Sequence, residues 1–272
     1  MRISRGATLS LRAVALLYLT LLLLLPLAVV LARTFEHGIG TAWSWVTTPA
    51  GVSAFWLSVT MAAIAVPLNT IFGIGAALVL VRGNGRGRRL LDATIDLPFV
   101  VSPVIIGLAL ILVYGQGGWF GNWFLNHGIR IIYAPVGMAL ATVFVSLPFV
   151  VREVAPVLIE VGDEQEQAAA TLGASGWQTF WRITLPSIRW GVAYGVVLTT
   201  ARALGEIGAV LVVSSNVAGS TLTLPLLVYQ RNSQVGSQTV GGAYAAATEL
   251  AVMSLVVLLA MTLLAPRRTD SQ

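Results

Sequence analysis

The sequence predicts an all-α, polytopic membrane protein with six transmembrane helices. Hydrophobic residues make up 57% of its 272 residues and charged residues only 10%, and its mean hydropathy is +0.85. An ordinary soluble domain has about 25% charged residues. Apolar runs long enough to cross a ~30 Å hydrocarbon core recur along the chain. We therefore expect residues 1–272 to form a single membrane domain.

The first predicted span covers residues 13–32, an uncharged run of 20 residues that follows three arginines. A cleaved signal peptide begins in the same way, but its apolar core has only about 7–15 residues. The length of the run therefore favours a retained helix. The second predicted span covers 55–81 and contains Pro67, whose missing N–H favours a kink inside a helix bundle. The third covers 97–114 and has two prolines in its first turns, where proline is tolerated best.

The other three predicted spans cover residues 131–151, 190–213 and 243–265. Residues 214–242, between the fifth and sixth spans, form an expected external loop with an unusual apolar stretch at 222–228. This stretch is too short to cross a bilayer. We therefore expect it to form a half-helix at the external mouth of the protein.

The distribution of arginine predicts the orientation of the spans. All 16 basic residues are arginine, and 12 of them lie at the two termini, in the loop at 82–89 and around the loop at 153–189. Only 3 lie in the loops on the other side, and Arg202 lies within a span. Basic residues concentrate on the cytoplasmic side of a membrane. We therefore expect both termini in the cytoplasm, with the chain in the cytoplasmic (inner) membrane of a bacterium.

Composition also argues against several classes of function. The sequence has no lysine and no cysteine, so it lacks a P-loop lysine and any thiolate metal site. The chain is therefore not expected to be an ATPase, and ATP with Mg²⁺ would bind to a partner. The arginines flank the spans, which indicates topology and not nucleic-acid binding. His37 and His127 fall in predicted external loops, so we expect no metal or other cofactor in this chain.

One segment of mixed polarity, residues 164–186, separates the fourth and fifth spans. It begins with glutamine and glutamate followed by three alanines, which form helices well, and then reaches Gly173 and Gly176. A helix stops or turns sharply at such glycines. The pattern predicts a short helix, a glycine corner and a second short helix. The small side chains of Ala168 and Ala169 would let the backbone of another protein approach closely.

This segment resembles the EAA loop of ABC importer permeases, in which Glu-Ala-Ala is followed at fixed spacings by Gly and by Ile-x-Leu-Pro. Every spacing matches, but Gln167 occupies the position of the acid and Glu166 lies one place earlier. The resemblance implies a coupling helix that docks into a groove of an ATPase subunit. The alternative is an ordinary cytoplasmic helical hairpin. The residues to which the resemblance assigns coupling are Glu166, Gln167, Ala168, Ala169, Gly173, Ala174 and Pro186.

Opposite charges stand four residues apart in the fifth span, at Arg202 and Glu206. This spacing places them on one helical face. A central charge costs about 2.5–3.5 kcal/mol to insert into a membrane, so both should face a partner or water. One interpretation is a purely structural ion pair. In the other, the pair borders a translocation pathway, where a guanidinium offers forked donors to a tetrahedral oxyanion.

Two more polar residues lie within predicted spans. Glu249, in the sixth span, is expected to be protonated, to pair with an arginine of another span, or to line the pathway. Asn69, in the second span, is expected to form a hydrogen bond between helices.

The residues around the charged pair resemble the sulfate and molybdate branch of the same permeases. The resemblance lies in Ala-Arg-Ala-Leu-Gly-Glu at 201–206, in the Ser-Ser-Asn that follows at 214–216, and in Thr-Leu-Pro-Leu at 223–226. The segment at 172–186 is most similar to the W-type subunit of sulfate and thiosulfate importers. The resemblance implies a type I importer permease (MetI-like) fold. It also implies a translocation pathway bordered by Arg202, Glu206, Ser214, Ser215 and Glu249.

The same resemblance implies partners and a substrate. The partners are a second, T-type permease subunit, two copies of an ABC ATPase, a periplasmic or lipid-anchored sulfate-binding protein, and membrane lipid. The expected substrate is sulfate or thiosulfate, and a molybdate or tungstate permease is the alternative. Two rivals come from other classes of function. One is an ion-coupled secondary anion transporter that uses a buried acid such as Glu206 or Glu249, and the other is an intramembrane enzyme.

Overall fold

The computed structural model describes residues 5–83, 85, 87–234 and 236–264, and every regular element in these ranges is helical. The predicted all-α class is therefore confirmed. Two π-helical segments, Thr20–Leu24 and Phe180–Thr184, join α1 to α2 and α11 to α12 without a break. The helices are α1 (Arg5–Leu19), α2 (Leu25–Phe35), α3 (Ile39–Val46), α4 (Pro49–Arg82), α5 (Gly87–Val100), α6 (Pro103–Tyr114), α7 (Gly121–Asn126), α8 (Pro135–Ser146), α9 (Pro148–Val161), α10 (Glu164–Thr171), α11 (Gly176–Thr179), α12 (Leu185–Leu204), α13 (Gly208–Val213), α14 (Leu224–Ser233) and α15 (Ser237–Leu264).

Four helical stretches in the described part of the chain are long and apolar enough to cross a membrane. They overlap the predicted first, second, fourth and sixth spans. The bent pair of α5 and α6, which overlaps the predicted third span, qualifies as one further but broken span. Helix α12, which overlaps the predicted fifth span and carries Arg189 and Arg202, does not qualify. The count of six spans therefore stays a prediction. The four stretches are Leu11–Phe35, Pro49–Arg82, Pro135–Val161 and Val240–Ala260.

The third predicted span, residues 97–114, is wrong as a single helix. Helix α5 ends at Val100, α6 begins at Pro103, and the two helices are bent by 113°. The cause is local, because a residue before proline is disfavoured in the helical region. Ser102 accordingly has φ −57° and ψ 136°, and Pro103 starts the new helix.

The fifth predicted span, residues 190–213, is also interrupted. Helix α12 ends at Leu204, with Gly205 as its C-cap, and the shorter α13 starts at Gly208. The carboxylate of Glu206 accepts a hydrogen bond from the backbone N–H of Ala209 at 2.8 Å. This bond satisfies one of the free N–H groups at the start of α13 and so stabilises the break.

The fourth span extends further than predicted. The sequence suggested that it ends at residue 151, but α9 continues to Val161. Arg152, which pairs with Asp92 and Asp96 of α5, does not end the helix, because arginine is a good helix former. The apolar stretch at 222–228 does form part of a helix, α14, as expected.

The tightest packing joins α4, α9 and α12. Val150 of α9 is fully buried between Gly73 of α4 and Gly195 of α12. Asn69, also fully buried, donates hydrogen bonds to the carbonyl of Val143 at 3.0 Å and to the Ser146 hydroxyl at 2.8 Å. The predicted role of Asn69 between helices is confirmed.

Candidate functional site

The segment at 163–186, which we call the elbow, has the predicted shape of helix, glycine corner and helix. Gly173 has φ +83°, and the N–H of Ala174 donates to the carbonyl of Ala169 at 3.0 Å. This arrangement is a Schellman motif, which requires a residue that tolerates positive φ. Ser175 then caps α11 in a capping box with Gln178. The sequence therefore specifies a sharp and well-ordered corner.

The outer surface of the elbow combines small and large apolar side chains. Gln167, Ala168, Gly173 and Pro186 are exposed, whereas Ala169 is buried and Ala174 is partly buried. Two large apolar side chains beside them face solvent, because Leu172 is 88% and Trp177 is 71% exposed. Apolar side chains grouped on an otherwise polar surface mark an interaction site. We call the exposed residues Gln167, Ala168, Leu172, Gly173 and Trp177 the elbow surface.

Glu166 does not belong to the elbow surface. Its Oε2 accepts a hydrogen bond from Arg82 Nε at 3.2 Å, and its Oε1 accepts one from the Thr184 hydroxyl at 2.7 Å. Arg82 Nη2 also donates to the carbonyl of Gly162. The side chain of Glu166 is therefore directed toward the membrane helices.

Arg202 and Glu206 form the predicted ion pair. Arg202 Nη1 lies 2.7 Å from Glu206 Oε2, in contact but without the alignment of a hydrogen bond. The side chain of Glu206 is only 2% exposed, whereas that of Arg202 is 32% exposed. The pair thus has one buried end and one open end, and the guanidinium forms the open end.

Arg202 lines an open groove of about 380 Å³ at the bend between α5 and α6. The side chain of Ser102 makes no cap at the start of α6, so no described side chain of the N-cap residue satisfies the first N–H groups of that helix. A cation and a helix N-terminus both favour an anion. The groove is lined by Pro98, Phe99, Val100, Val101, Ser102, Pro103, Val145, Phe149 and Arg202.

The other predicted pathway residues lie elsewhere. Ser214 Oγ donates to the carbonyl of Thr221 at 2.5 Å, and Ser215 Oγ and Thr221 Oγ1 are 2.6 Å apart. Both serines therefore close the loop after α13, and neither lines the groove of Arg202. Glu249 of α15 has one buried oxygen, Oε2, without a hydrogen bond to any described residue, and it interacts electrostatically with Arg231.

Some residues that organise the site carry no local sequence signal. Arg152 Nε donates to Asp96 at 2.9 Å, and its Nη2 donates to Asp92 at 2.8 Å, so one arginine ties α9 to α5. Arg82 and Thr184 contact Glu166 from positions 84 and 18 residues away. Only the three-dimensional structure brings these groups together.

A comparison with protein families identifies the chain. The sequence profile described as "Binding-protein-dependent transport system inner membrane component" matches residues 69–270.

The chain belongs to this family.

Relatives of this binding-protein-dependent permease span almost its whole length. It is 51% identical over 245 residues to the sulfate transport system permease protein CysW of Synechocystis sp., covering 90% of this chain and 89% of that protein. It is 45% identical over 246 residues to CysW of Escherichia coli K12, covering 89% and 82%. It is 38% identical over 253 residues to CysT of Synechocystis sp., covering 92% and 87%. These relatives confirm the resemblance to the sulfate branch.

Solved structures confirm the fold of the permease. It superposes with a TM-score of 0.79 and 18% identity on a bacterial ABC transporter involved in the import of the acidic polysaccharide alginate, covering 97% of this chain and 96% of that one. It superposes with a TM-score of 0.62 and 15% identity on the inward-facing MetNI methionine ABC transporter, covering 78% and 93%. The expected MetI-like permease fold is therefore correct.

Proposed function

We propose that this permease is a transmembrane subunit of an ATP-driven ABC importer that moves sulfate or thiosulfate into the cell. The observation that carries the proposal is the 51% identity to a sulfate transport permease over 90% of the chain. The groove beside Arg202 supports it, because its donors suit a tetrahedral oxyanion. The proposed orientation keeps both termini in the cytoplasm of a bacterium and the elbow on the cytoplasmic side.

The proposed assembly contains two different permeases, two copies of an ABC ATPase and a periplasmic or lipid-anchored sulfate-binding protein. Synechocystis sp. has both a CysW and a CysT permease that are related to this chain. This supports an assembly in which the chain works with a T-type partner. The sequence has no lysine, so the ATPase subunits would bind ATP and Mg²⁺ in their own P-loops. This chain is proposed to carry no cofactor.

In this assembly the elbow surface docks on the ATPase. Exposed Ala168 and Gly173 permit close approach, and Leu172 and Trp177 supply apolar area for burial. The bilayer contacts the first span, whose apolar side chains face outward. Movement of the ATPase pair would then change the relative positions of the helices, because the docked elbow continues directly into α12.

The groove would receive the anion as it passes. Arg202 and the N-terminus of α6 would replace part of the hydration shell of sulfate. Glu206 partly neutralises Arg202, so the attraction between Arg202 and sulfate stays moderate. Moderate attraction suits a transport pathway, since an anion that binds too strongly would not leave.

Reconstitution tests the proposal. The permease is placed in vesicles with a T-type partner, the ATPase and a sulfate-binding protein, and radiolabelled sulfate uptake and ATP hydrolysis are measured. We expect sulfate to stimulate both, and we expect Arg202→Ala to lower uptake without loss of assembly. Stimulation by molybdate in place of sulfate would assign the chain to the alternative substrate. Uptake that requires a proton gradient and no ATP would overturn the proposal.

A further inference from the structure

The acid that lies one place before the coupling motif faces the membrane helices of its own chain. Both carboxylate oxygens of Glu166 are occupied, Oε2 by Arg82 Nε at 3.2 Å and Oε1 by Thr184 Oγ1 at 2.7 Å. The side chain is 23% exposed, and that of Arg82 is 24% exposed. We call these three residues the clasp.

The clasp gathers the cytoplasmic ends of several helices. Arg82 is the last residue of α4, and Thr184 is the last residue of the π-helical segment before α12. Arg82 also donates to the carbonyl of Gly162, which is the C-cap of α9 and has φ +70°. The side chains of Arg82 and Thr184 thus link the first turn of α10 to α4, to the end of α9 and to the start of α12. Thr184 is buried, so competing water has little access to its bond.

The helix geometry explains why the position of the acid matters. Successive residues on a helix are separated by about 100° around its axis. A carboxylate at Gln167 would therefore lie on the exposed side of α10, whereas the carboxylate at Glu166 turns toward Arg82. The two positions have different surroundings, so Glu166 is not a displaced copy of the usual motif acid.

We infer that Glu166 is a positioning residue that joins the ATPase-docking elbow to α4 and α12 of its own chain, without touching the ATPase. This inference rests on the proposed function. Charge-assisted hydrogen bonds between partly buried groups resist rearrangement more than neutral bonds at a surface. Without the clasp, the elbow surface still binds the ATPase, but α10 is no longer fixed to α4 and α12, so less of its movement is passed to the membrane helices.

Binding of the ATPase to the permease and the coupling of ATP hydrolysis to sulfate transport should therefore be separable. Four permease variants are compared in the reconstituted assembly: Glu166→Ala, Arg82→Ala, Thr184→Val and the double variant Glu166→Ala with Arg82→Ala. Affinity for the purified ATPase should stay within about twofold of the unmodified permease. The amount of sulfate transported per ATP hydrolysed should fall at least about fivefold. The double variant should lose less than the sum of the two single losses, because both changes remove the shared Arg82–Glu166 interaction.

Two control variants calibrate the experiment. Glu164→Gln removes an exposed acid from the same helical turn and should change neither quantity. Ala168→Arg alters the elbow surface and should lower ATPase affinity. If Glu166→Ala lowers that affinity as Ala168→Arg does, Glu166 contacts the ATPase and the inference is wrong. Additive losses in the double variant would also overturn it.

Hydrogen exchange on the isolated permease separates this inference from the proposed function. Amides of α10 should exchange faster in the clasp variants than in Glu164→Gln, because α10 has lost its attachment. Unchanged exchange would refute the clasp even if sulfate transport is observed. Faster exchange together with absent sulfate transport by the unmodified assembly would support the clasp and reject the proposed substrate.

Discussion

Val150 of α9 occupies the space in which any side chain on Gly73 of α4 would have to lie. A β-carbon on Gly73 would stand 2.5 Å from Cβ of Val150 and 2.6 Å from its Cγ1. Carbon atoms that are not bonded make optimal contact at about 3.5–4.0 Å. The close approach of α4 and α9 therefore depends on the absence of a side chain at position 73.

Gly73→Ala is expected to destabilise the permease by about 1–3 kcal/mol, the usual cost of overpacking a core. The matched control is Gly75→Ala on the same helix, where a β-carbon would meet nothing within 4 Å. Thermal unfolding in detergent measures both. Because alanine favours helix more than glycine does, the control should be neutral or slightly stabilising. Equal losses in the two variants would contradict close packing of Val150 against Gly73.

Asn69→Ala should also lower stability, because it removes two hydrogen bonds between α4 and α8. Interhelical hydrogen bonds in membranes are worth about 0.6 kcal/mol on average and up to about 1.7 kcal/mol. Thr70→Ala is the control, since among the described residues the Thr70 hydroxyl bonds to the carbonyl of Val66 in its own helix and to no other helix. Unfolding in denaturing detergent should distinguish the two variants.

Arg152→Ala is expected to cost more stability than Asp92→Asn or Asp96→Asn alone. Removing the arginine leaves two carboxylates facing each other, whereas removing one carboxylate leaves the other pair intact. These side chains are partly exposed, so each single loss should be at most about 1 kcal/mol. The difference should shrink at high salt. Stability curves in detergent at two salt concentrations measure it.

Glu206→Gln and Glu206→Ala should have different effects. Glutamine keeps an oxygen that can accept the N–H of Ala209, whereas alanine leaves that N–H without its partner. The loss of a cap of this kind costs about 0.5–2 kcal/mol, so only the alanine variant should be clearly destabilised. The glutamine variant leaves Arg202 without a counter-charge. It should hold sulfate more tightly and release it more slowly, which single-turnover uptake can detect.

Leu172→Asp should weaken binding of the ATPase without lowering the stability of the permease. Leu172 is 88% exposed, so the isolated protein gains nothing from burying it. A charge there would be desolvated on docking, and that costs free energy. Affinity measured by surface binding, together with the melting temperature, checks both halves of this prediction. A loss of melting temperature would show that the side chain packs within the permease.

The sequence was most informative where structure is decided locally. The corner at Gly173 follows from a residue that tolerates positive φ after a run of good helix formers. The pair of Arg202 and Glu206 was predicted from a spacing of four residues, and it forms even though Glu206 lies just beyond the end of α12. In both cases the interacting groups are close in the chain, so the pattern of residue types contains the answer.

The sequence was less informative where hydropathy alone defined a span. The breaks at Val101–Ser102 and Gly205–Ile207 lie inside apolar runs. The mean hydropathy of such a run does not show where the helix ends and the chain changes direction. The proline at 103 did carry a signal for the first break, because it restricts the residue before it. The orientation of Glu166 was not predictable, since Arg82 lies 84 residues away in the chain.

The uninterrupted path from α11 through the π-helical segment into α12 has a mechanical consequence. At 1.5 Å per residue, this path forms a rod about 40 Å long with the elbow at one end and Arg202 near the other. Thr184, whose hydroxyl bonds to Glu166 in the clasp, lies between these ends, nearer to the elbow than to Arg202, and in the proposed assembly it would be the pivot. In the proposed assembly, a small tilt applied to the elbow by the ATPase would therefore become a larger displacement of the Arg202 guanidinium at the far end of this path.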